Sequence, residues 1–177
     1  MLTTQNQQAR TFAQRAHAGQ QYSDGVPYMR HVEAVAQRCL RYGDLAVTVA
    51  FLHDVAEDTN ATLADVERAF GPFVAECVGF VTDVPGRNRH ERKKATNAKL
   101  IKVRPSHYAA LVAKAADRLC NIAACVVSGD KRLAMYRAEH EDFREAAFAE
   151  KVCDPLWDEM DALLSLGQPV PAGPTSL

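Results

Sequence analysis

The chain has 177 residues, and its 21 basic and 22 acidic side chains leave a formal net charge of −1. This length is typical of one domain with its own core, and a hydrophobic fraction of 47% excludes a largely disordered chain. The near-neutral charge argues against a general nucleic-acid-binding protein, and the lack of an apolar run of about 18 residues argues against a membrane span.

Helical patterns dominate the first part of the chain. Apolar periodicity predicts helices over about Thr4–His17 and Met29–Tyr42, with a turn rich in Gly and Pro between them. Asp44 is a good N-cap for a third helix, which the pattern predicts to continue to about Glu57.

The rest of the chain continues in the same way. Thr62 and Asp65 resemble a capping box and predict a short helix that ends before Gly71. Further helices are predicted over about Phe73–Thr82, within Arg87–Lys102, and over Pro105–Val127, Lys131–Phe148 and Lys151–Leu166. The predicted fold is therefore all-α, a single domain over residues 1–166, followed by a flexible tail over residues 167–177.

The cysteines indicate the cellular compartment. There are five of them, none lies in a CxxC pair, and the N-terminal residues lack the apolar segment of an export signal. The sequence therefore predicts a cytoplasmic protein with reduced, mostly buried thiols, in preference to disulfides or a zinc site.

The strongest chemical signal is the segment AFLHDVAEDT, which contains His53, Asp54, Glu57 and Asp58. His53 and Glu57 are four residues apart, as are Asp54 and Asp58, so each pair would lie on one face of a continuous helix. Burying these carboxylates without a counter-charge would cost on the order of several kcal/mol, and a divalent cation would supply that charge. The alternative is the C-terminus of a helix that simply reaches solvent.

Candidate partners for such a cation occur elsewhere in the chain. His31 lies at the start of the second helix, and Asp117 lies in the middle of a later one. Lys114, Asp117, Arg118 and Asn121 form a polar stripe on that helix, which indicates either a lined cleft or a solvated face. Two imidazoles and two carboxylates would suit Mn²⁺, Fe²⁺ or Zn²⁺ better than Mg²⁺.

The order of His31, the His53-Asp54 doublet and Asp117 on a helical chain resembles the HD-domain metal phosphohydrolases, in particular the RelA/SpoT-type alarmone hydrolase domain. The resemblance covers roughly Ala9–Phe148 and rests on the segments AHAGQ, DGVPYMRH, HDVAEDT, FG, VTD and KAADRLCN. It implies a single HD-domain helical bundle. The length leaves no room for the synthetase and regulatory domains of long family members, and therefore indicates a small alarmone hydrolase.

The resemblance also implies roles for individual residues. The metal ligands would be His31, His53, Asp54 and Asp117, with Mn²⁺ the expected ion. The implied reaction removes the 3′-pyrophosphate of a nucleotide alarmone. Glu57 would accept the proton of the attacking water, and Asp58 would orient that water or Glu57. Alternatively, Asp58 only caps the local structure through Thr59.

Four further residues match family positions near the substrate: Lys114, Arg118, Asn121 and Tyr136. Two of them have structural alternatives, since Arg118 could pair with a carboxylate and Tyr136 could belong to the core. His17 matches the first family motif and is interpreted as an anchor for the following turn.

The sequence departs from the family in one loop. Where the family commonly has two basic residues that contact the purine and a phosphate, this chain has Tyr22 and Ser23. Tyr22 could still stack on a base, so these two residues are predicted substrate contacts, and (p)ppGpp and (p)ppApp both remain candidate substrates. The basic residues within Arg87–Lys94 are either a solvated face or a positively charged lid.

Two other functions are compatible with these residues. One is an HD phosphatase that acts on NADPH or a nucleoside monophosphate. The other is a non-catalytic nucleotide-binding regulator, against which the complete set of ligands and the Glu57-Asp58 pair argue. A homo-oligomer is possible, because the apolar helix around Trp157 could pack internally or between subunits.

Overall fold

A computed structural model describes residues 2–21 and 25–166. In this part of the chain the regular structure is helical, apart from one isolated antiparallel bridge between Gln21 and Pro27. The predicted all-α fold is confirmed. Tyr22, Ser23 and the predicted tail at residues 167–177 lie outside the described residues.

The helices follow the predicted order along the chain. Their bounds are α1 Thr4–Ala16, α2 Met29–Cys39, α3 Asp44–Leu52, α4 Val55–Asp58, α5 Leu63–Phe70, α6 Pro72–Val81, α7 Arg89–Leu100, α8 Tyr108–Ser128, α9 Arg132–Ala138, α10 His140–Ala147 and α11 Asp154–Ser165. Short 3₁₀ segments, Leu40–Tyr42 and Pro105–His107, extend α2 and precede α8. The predicted capping box is present, since Thr62 and Asp65 bind each other's backbone N–H groups.

The prediction of one continuous helix from Asp44 to Glu57 is wrong. Helix α3 ends at Leu52, and α4 begins at Val55 after a turn formed by His53 and Asp54. The His53 side chain lies 2.7 Å from the Ala50 carbonyl oxygen and donates to it, so it satisfies a carbonyl that is orphaned at the end of the helix. His53 and Glu57 therefore do not share a face of one continuous helix, and neither do Asp54 and Asp58. Tertiary packing determines where these side chains meet.

The predicted helix Lys131–Phe148 is likewise divided. Glu139 lies between α9 and α10, and its carboxylate accepts hydrogen bonds from Arg89 of α7 and Arg118 of α8. The break thus directs this carboxylate towards two neighbouring helices.

Helix α3 forms the centre of the bundle. Seven of its nine residues, Ala46–Leu52, are buried, and the helix contacts α1, α2, α6 and α8. Helix α8 is 21 residues long and packs against α2, α3, α6 and α11. Because α2, α3 and α8 contact one another, His31, the His53-Asp54 turn and Asp117 come together in the middle of the fold.

Trp157 belongs to the core of the chain, which resolves the alternatives left open for its helix. Its side chain is fully buried, and its ring lies 5.2 Å from that of Phe143 and 5.6 Å from that of Phe148.

We expect Trp157→Ala to lower the free energy of unfolding by about 3–5 kcal/mol, measured by urea denaturation with far-UV circular dichroism. Val127→Ala, at a site that is 89% exposed, should change it by less than about 0.5 kcal/mol. Similar values for the two variants would contradict this assignment.

Candidate active site and metal centre

The four predicted metal ligands converge, although they come from three different parts of the fold. The Nε2 atom of His31 lies 3.2 Å from Oδ1 of Asp117 and 3.8 Å from Oδ2 of Asp54. The Nε2 atom of His53 lies 2.8 Å from Oδ2 of Asp54 and 3.7 Å from Oδ1 of Asp117. One donor atom each from His31, His53 and Asp54 fits within 4.8 Å of the others, a spacing that suits a single cation.

One atom of His53 shows that a cation fits this cluster. Because Nδ1 donates to the Ala50 carbonyl, Nε2 carries the lone pair of the neutral imidazole. That Nε2 atom is buried and has no hydrogen-bond partner among the described residues, although two carboxylate oxygens lie within 3.7 Å of it. Buried polar atoms are rarely left unsatisfied, and a cation shared with the carboxylates would satisfy this one.

The ionisation of the cluster agrees with this interpretation. Burial opposes charge on Asp54, but the neighbouring His53 lowers the pKa of this carboxyl below its usual value. Burial likewise opposes charge on Asp117, whose pKa is held well below its usual value by the imidazoles of His31 and His53. Burial also disfavours the charged form of His53, yet Asp54 raises its pKa well above the ordinary value when no cation is present. A divalent cation would take the place of that proton.

Neighbouring residues of α8 hold Asp117 in place. The Nδ2 atom of Asn121 donates to Oδ1 of Asp117 at 2.7 Å and to its backbone oxygen at 3.1 Å. The Nζ atom of Lys114 donates to the Val81 carbonyl at 2.9 Å and lies 3.8 Å from Oδ2 of Asp117. Burial disfavours the charged ammonium, but Asp117 raises the pKa of Lys114 above its usual value. Since Lys114 and Arg118 are buried, the polar stripe of α8 lines a cleft and is not a solvated face.

Glu57 lines this cleft, and the backbone N–H of Asp83 holds its side chain in place. Its Oε2 atom accepts a hydrogen bond from the backbone N–H of Asp83 at 2.9 Å. The Asp83 side chain is buried, accepts a hydrogen bond from Lys93 Nζ at 2.6 Å, and lies 3.8 Å from Lys114 Nζ. Partial desolvation raises the pKa of Glu57, and the Asp83 carboxylate adds to that effect. A carboxylate of raised pKa in a cleft is suited to accepting a proton.

Asp58 lies beside the candidate metal centre, and among the described residues its side chain makes no hydrogen bond to the neighbouring backbone. Its Oδ2 atom accepts a hydrogen bond from the Tyr28 hydroxyl at 2.9 Å. Thr59, by contrast, donates to the Val55 carbonyl at 2.6 Å and accepts from the Ala61 N–H at 3.0 Å. Burial raises the pKa of Asp58, and the charge of Asp54 raises it further.

Sequence reasoning missed two residues of the site, Tyr28 and Asp83. The Tyr28 hydroxyl donates to Oδ2 of Asp54 at 2.5 Å as well as to Asp58. Its position three residues before His31, one helical turn away, could have indicated this role. Asp83 lies in the VTD segment that carries the family resemblance, but its part in the site comes from a backbone N–H and from packing against α7 and α8.

Arg118 and Tyr136 line the cleft but are engaged with the protein itself. Arg118 donates to the Glu139 carboxylate at 3.3 Å and to the Tyr136 carbonyl at 3.1 Å. Its guanidinium also lies over the rings of Tyr136 and Phe143, at 5.1 and 4.6 Å from their centroids. Arg118 thus pairs with a carboxylate in this structure, and its predicted contact with substrate stays a prediction. Tyr136 is only 9% exposed, which agrees with a residue at the edge of the core.

The cleft has a volume of about 880 Å³ and brings the predicted residues together. Its lining includes His31, Asp54, Asp117, Glu57 and Asp58, the α8 residues Lys114, Arg118 and Asn121, and Tyr136. Helix α7 adds Arg89, His90, Lys93 and Lys94 to one wall, so part of this basic segment faces the cleft. Tyr22 and Ser23 lie outside the described residues, and their predicted contacts with substrate stay a prediction.

His17 has the anchoring position expected of it. Its ring is buried, stacks on that of Tyr28 at 4.8 Å, and its Nδ1 lies 2.7 Å from Oε1 of Gln20. It thus joins the end of α1 to the turn that leads into α2.

Comparison with known proteins identifies relatives of this fold and sequence. Residues 9–143 match a family model described as HD domain. The bifunctional (p)ppGpp synthase/hydrolase SpoT of Escherichia coli (strain K12) is 38% identical over 122 residues, which cover 65% of this chain and 17% of that protein. The guanosine-3′,5′-bis(diphosphate) 3′-pyrophosphohydrolase MESH1 of Danio rerio is 35% identical over 119 residues, or 63% of each protein. The chain thus matches less than two thirds of either relative.

Solved structures show the same fold. The structure of a metazoan ortholog of SpoT, described as hydrolysing ppGpp, superposes with a TM-score of 0.78 at 24% identity and covers 92% of this chain and 95% of that one. The lmo0812 protein of Listeria monocytogenes EGD-e superposes with a TM-score of 0.65, also at 24% identity, covering 78% and 94% of the two chains. In the part of the chain that the structure describes, no helix is both long and apolar enough to cross a membrane.

Proposed function

The chain belongs to the HD domain family, as the match over residues 9–143 shows, and we propose that it is a metal-dependent 3′-pyrophosphohydrolase of a nucleotide alarmone, (p)ppGpp or (p)ppApp. Water would attack the phosphorus that is attached to the ribose 3′ oxygen. The bond between that phosphorus and the 3′ oxygen would break, so the products are pyrophosphate and a nucleoside 5′-di- or triphosphate. The names of the SpoT and MESH1 relatives support this choice of reaction.

The observation that carries the proposal is the convergence of two imidazoles and two carboxylates beside Glu57 in a cleft of about 880 Å³. A cleft of this volume falls within the range of small-molecule sites. The buried, unpartnered Nε2 of His53 further supports a cation at this point.

His31, His53, Asp54 and Asp117 would hold one divalent cation. We propose Mn²⁺, the ion that the family resemblance implies, among the ions that suit a donor set of imidazole and carboxylate. When bound, the ion would polarise a phosphoryl oxygen and lower the pKa of a water molecule. Glu57 would accept the proton of the attacking water, and the Asp83 N–H holds its carboxylate in place. Asp58, which shares the Tyr28 hydroxyl with Asp54, would orient the water.

The substrate-binding residues proposed for this reaction are Tyr22, Ser23, Lys114, Arg118, Asn121 and Tyr136. Lys114 and Asn121 line the cleft and would also hold Asp117, which both of them contact. Purine specificity would depend on Tyr22 and Ser23. A cytoplasmic location is part of the same proposal, supported by five free cysteines, which are typical of a reducing compartment.

The experiment that tests this function is a hydrolysis assay with Mn²⁺ that resolves the products from ppGpp, pppGpp, ppApp and NADPH. We expect pyrophosphate from at least one alarmone, and its purine would identify the specificity. Orthophosphate from NADPH alone would replace the proposal by the HD phosphatase function. Binding of nucleotide without turnover of any of these substrates would indicate a non-catalytic regulator.

A further inference from the structure

The Tyr28 hydroxyl lies between two carboxylates of the candidate site. It donates to Oδ2 of Asp54 at 2.5 Å and to Oδ2 of Asp58 at 2.9 Å, so that one phenolic proton is shared by both. Asp54 is a candidate metal ligand, and Asp58 belongs to the candidate catalytic pair. This hydroxyl is thus a direct link between the two functions of the site.

The ring that carries this hydroxyl is held from several sides. It stacks on His17 at 4.8 Å with an interplanar angle of 28°, and it meets the edge of His31 at 5.7 Å. The Tyr28 backbone N–H donates to the Gln20 carbonyl at 3.0 Å. A ring fixed in this way presents its hydroxyl at a defined position, which is what a second-sphere group needs in order to orient a ligand.

The phenol also remains a donor. A phenol is un-ionised near neutral pH, so the Tyr28 hydroxyl carries the proton that it donates to Asp54 and Asp58. A protonated donor between two carboxylates lowers their mutual repulsion and fixes the orientation of both.

We propose that Tyr28 is a positioning residue, whose hydroxyl orients Asp54 for metal binding and ties Asp58 to that ligand. The inference rests on the proposed function for the part played by Asp58, whereas the part played by Asp54 depends only on metal binding. Tyr28 would not touch the reacting atoms, and its effect would pass through these two carboxylates.

The test compares two single-hydroxyl deletions, Tyr28→Phe and Tyr42→Phe. Tyr42 is the matched control, because its hydroxyl has no hydrogen-bond partner among the described residues and the residue does not line the cleft. Free Mn²⁺ is titrated by electron paramagnetic resonance, and kcat and KM are measured at saturating Mn²⁺. We expect Tyr28→Phe to weaken Mn²⁺ binding roughly 10–100-fold and to lower kcat by a similar factor with little change in KM. Tyr42→Phe should match the parent protein in both measurements.

The two readouts separate this inference from the proposed function. Mn²⁺ affinity of Tyr28→Phe within about twofold of the Tyr42→Phe control would overturn the role towards Asp54, whatever the activity. If Tyr28→Phe had the kcat of the parent protein at saturating Mn²⁺, the proposed role of Tyr28 towards Asp58 would be overturned. If the parent protein hydrolysed no alarmone, the proposed function and the role through Asp58 would both fail, and the Mn²⁺ titration would still decide the role of Tyr28 towards Asp54.

Discussion

Asp54→Asn is expected to reduce alarmone hydrolysis to background and to weaken Mn²⁺ binding by more than the roughly 10–100-fold that is typical of second-sphere changes. The Oδ2 atom of Asp54 lies 2.8 Å from His53 Nε2 and 3.8 Å from His31 Nε2, at the centre of the candidate ligand set. An amide of the same size removes the negative charge that a cation needs and leaves the packing in place. The measurements are pyrophosphate release and titration of free Mn²⁺.

The gain in thermal stability on adding Mn²⁺, compared between the parent protein and Asp54→Asn, provides an independent test of the same variant. Mn²⁺ at 100 times its Kd should stabilise the parent protein by about 2.7 kcal/mol, and this gain should be absent in Asp54→Asn. The control is Asp158→Asn, which makes the same chemical change at an exposed position of α11. Unaltered Mn²⁺ binding in Asp54→Asn would remove this residue from the ligand set.

Glu57→Gln is expected to lower kcat by about 10²–10⁴-fold while Mn²⁺ affinity stays within about twofold of the parent value. Glutamine has the size of glutamate, and its side-chain oxygen can still accept the Asp83 N–H that lies 2.9 Å from Glu57 Oε2. It cannot accept a proton from water, so the variant should separate proton transfer from metal binding.

The control for this variant is Glu67→Gln, at an exposed position of α5. It should leave kcat and Mn²⁺ affinity unchanged. Loss of metal together with activity in Glu57→Gln would make Glu57 a ligand, and retention of activity would place the proton acceptor elsewhere.

Local capping signals predicted the ends of α5 well, whereas the prediction of Asp44 as an N-cap is wrong, because Asp44 is the first residue of α3 and Gly43 occupies the cap position. Helix α5 begins after the Thr62–Asp65 capping box and ends before Gly71, as predicted. These ends were predictable because capping hydrogen bonds involve residues only a few positions apart. Helical periodicity continues through His53 and predicted a helix there. The helix stops instead, because the His53 side chain donates a hydrogen bond to the Ala50 carbonyl.

The sequence also predicted which residues form the candidate metal centre, but it did not predict all of their neighbours. The types and order of His31, His53, Asp54 and Asp117 indicated a metal centre, and the structure brings these residues together. The pairing of Arg118 was open in the sequence, because nothing local indicates that Glu139 turns towards it at the break between α9 and α10.

The sequence by itself determined the helical class, the approximate helix bounds and the donor groups of the candidate metal centre, since these depend on periodicity, capping and side-chain chemistry. The tertiary structure alone decided that Tyr28 joins Asp54 to Asp58 and that the Asp83 N–H holds Glu57. Each of these contacts connects residues 26 or 30 positions apart. Such contacts arise from the packing of whole helices, and local propensity carries no information about which side chains that packing brings within hydrogen-bond distance.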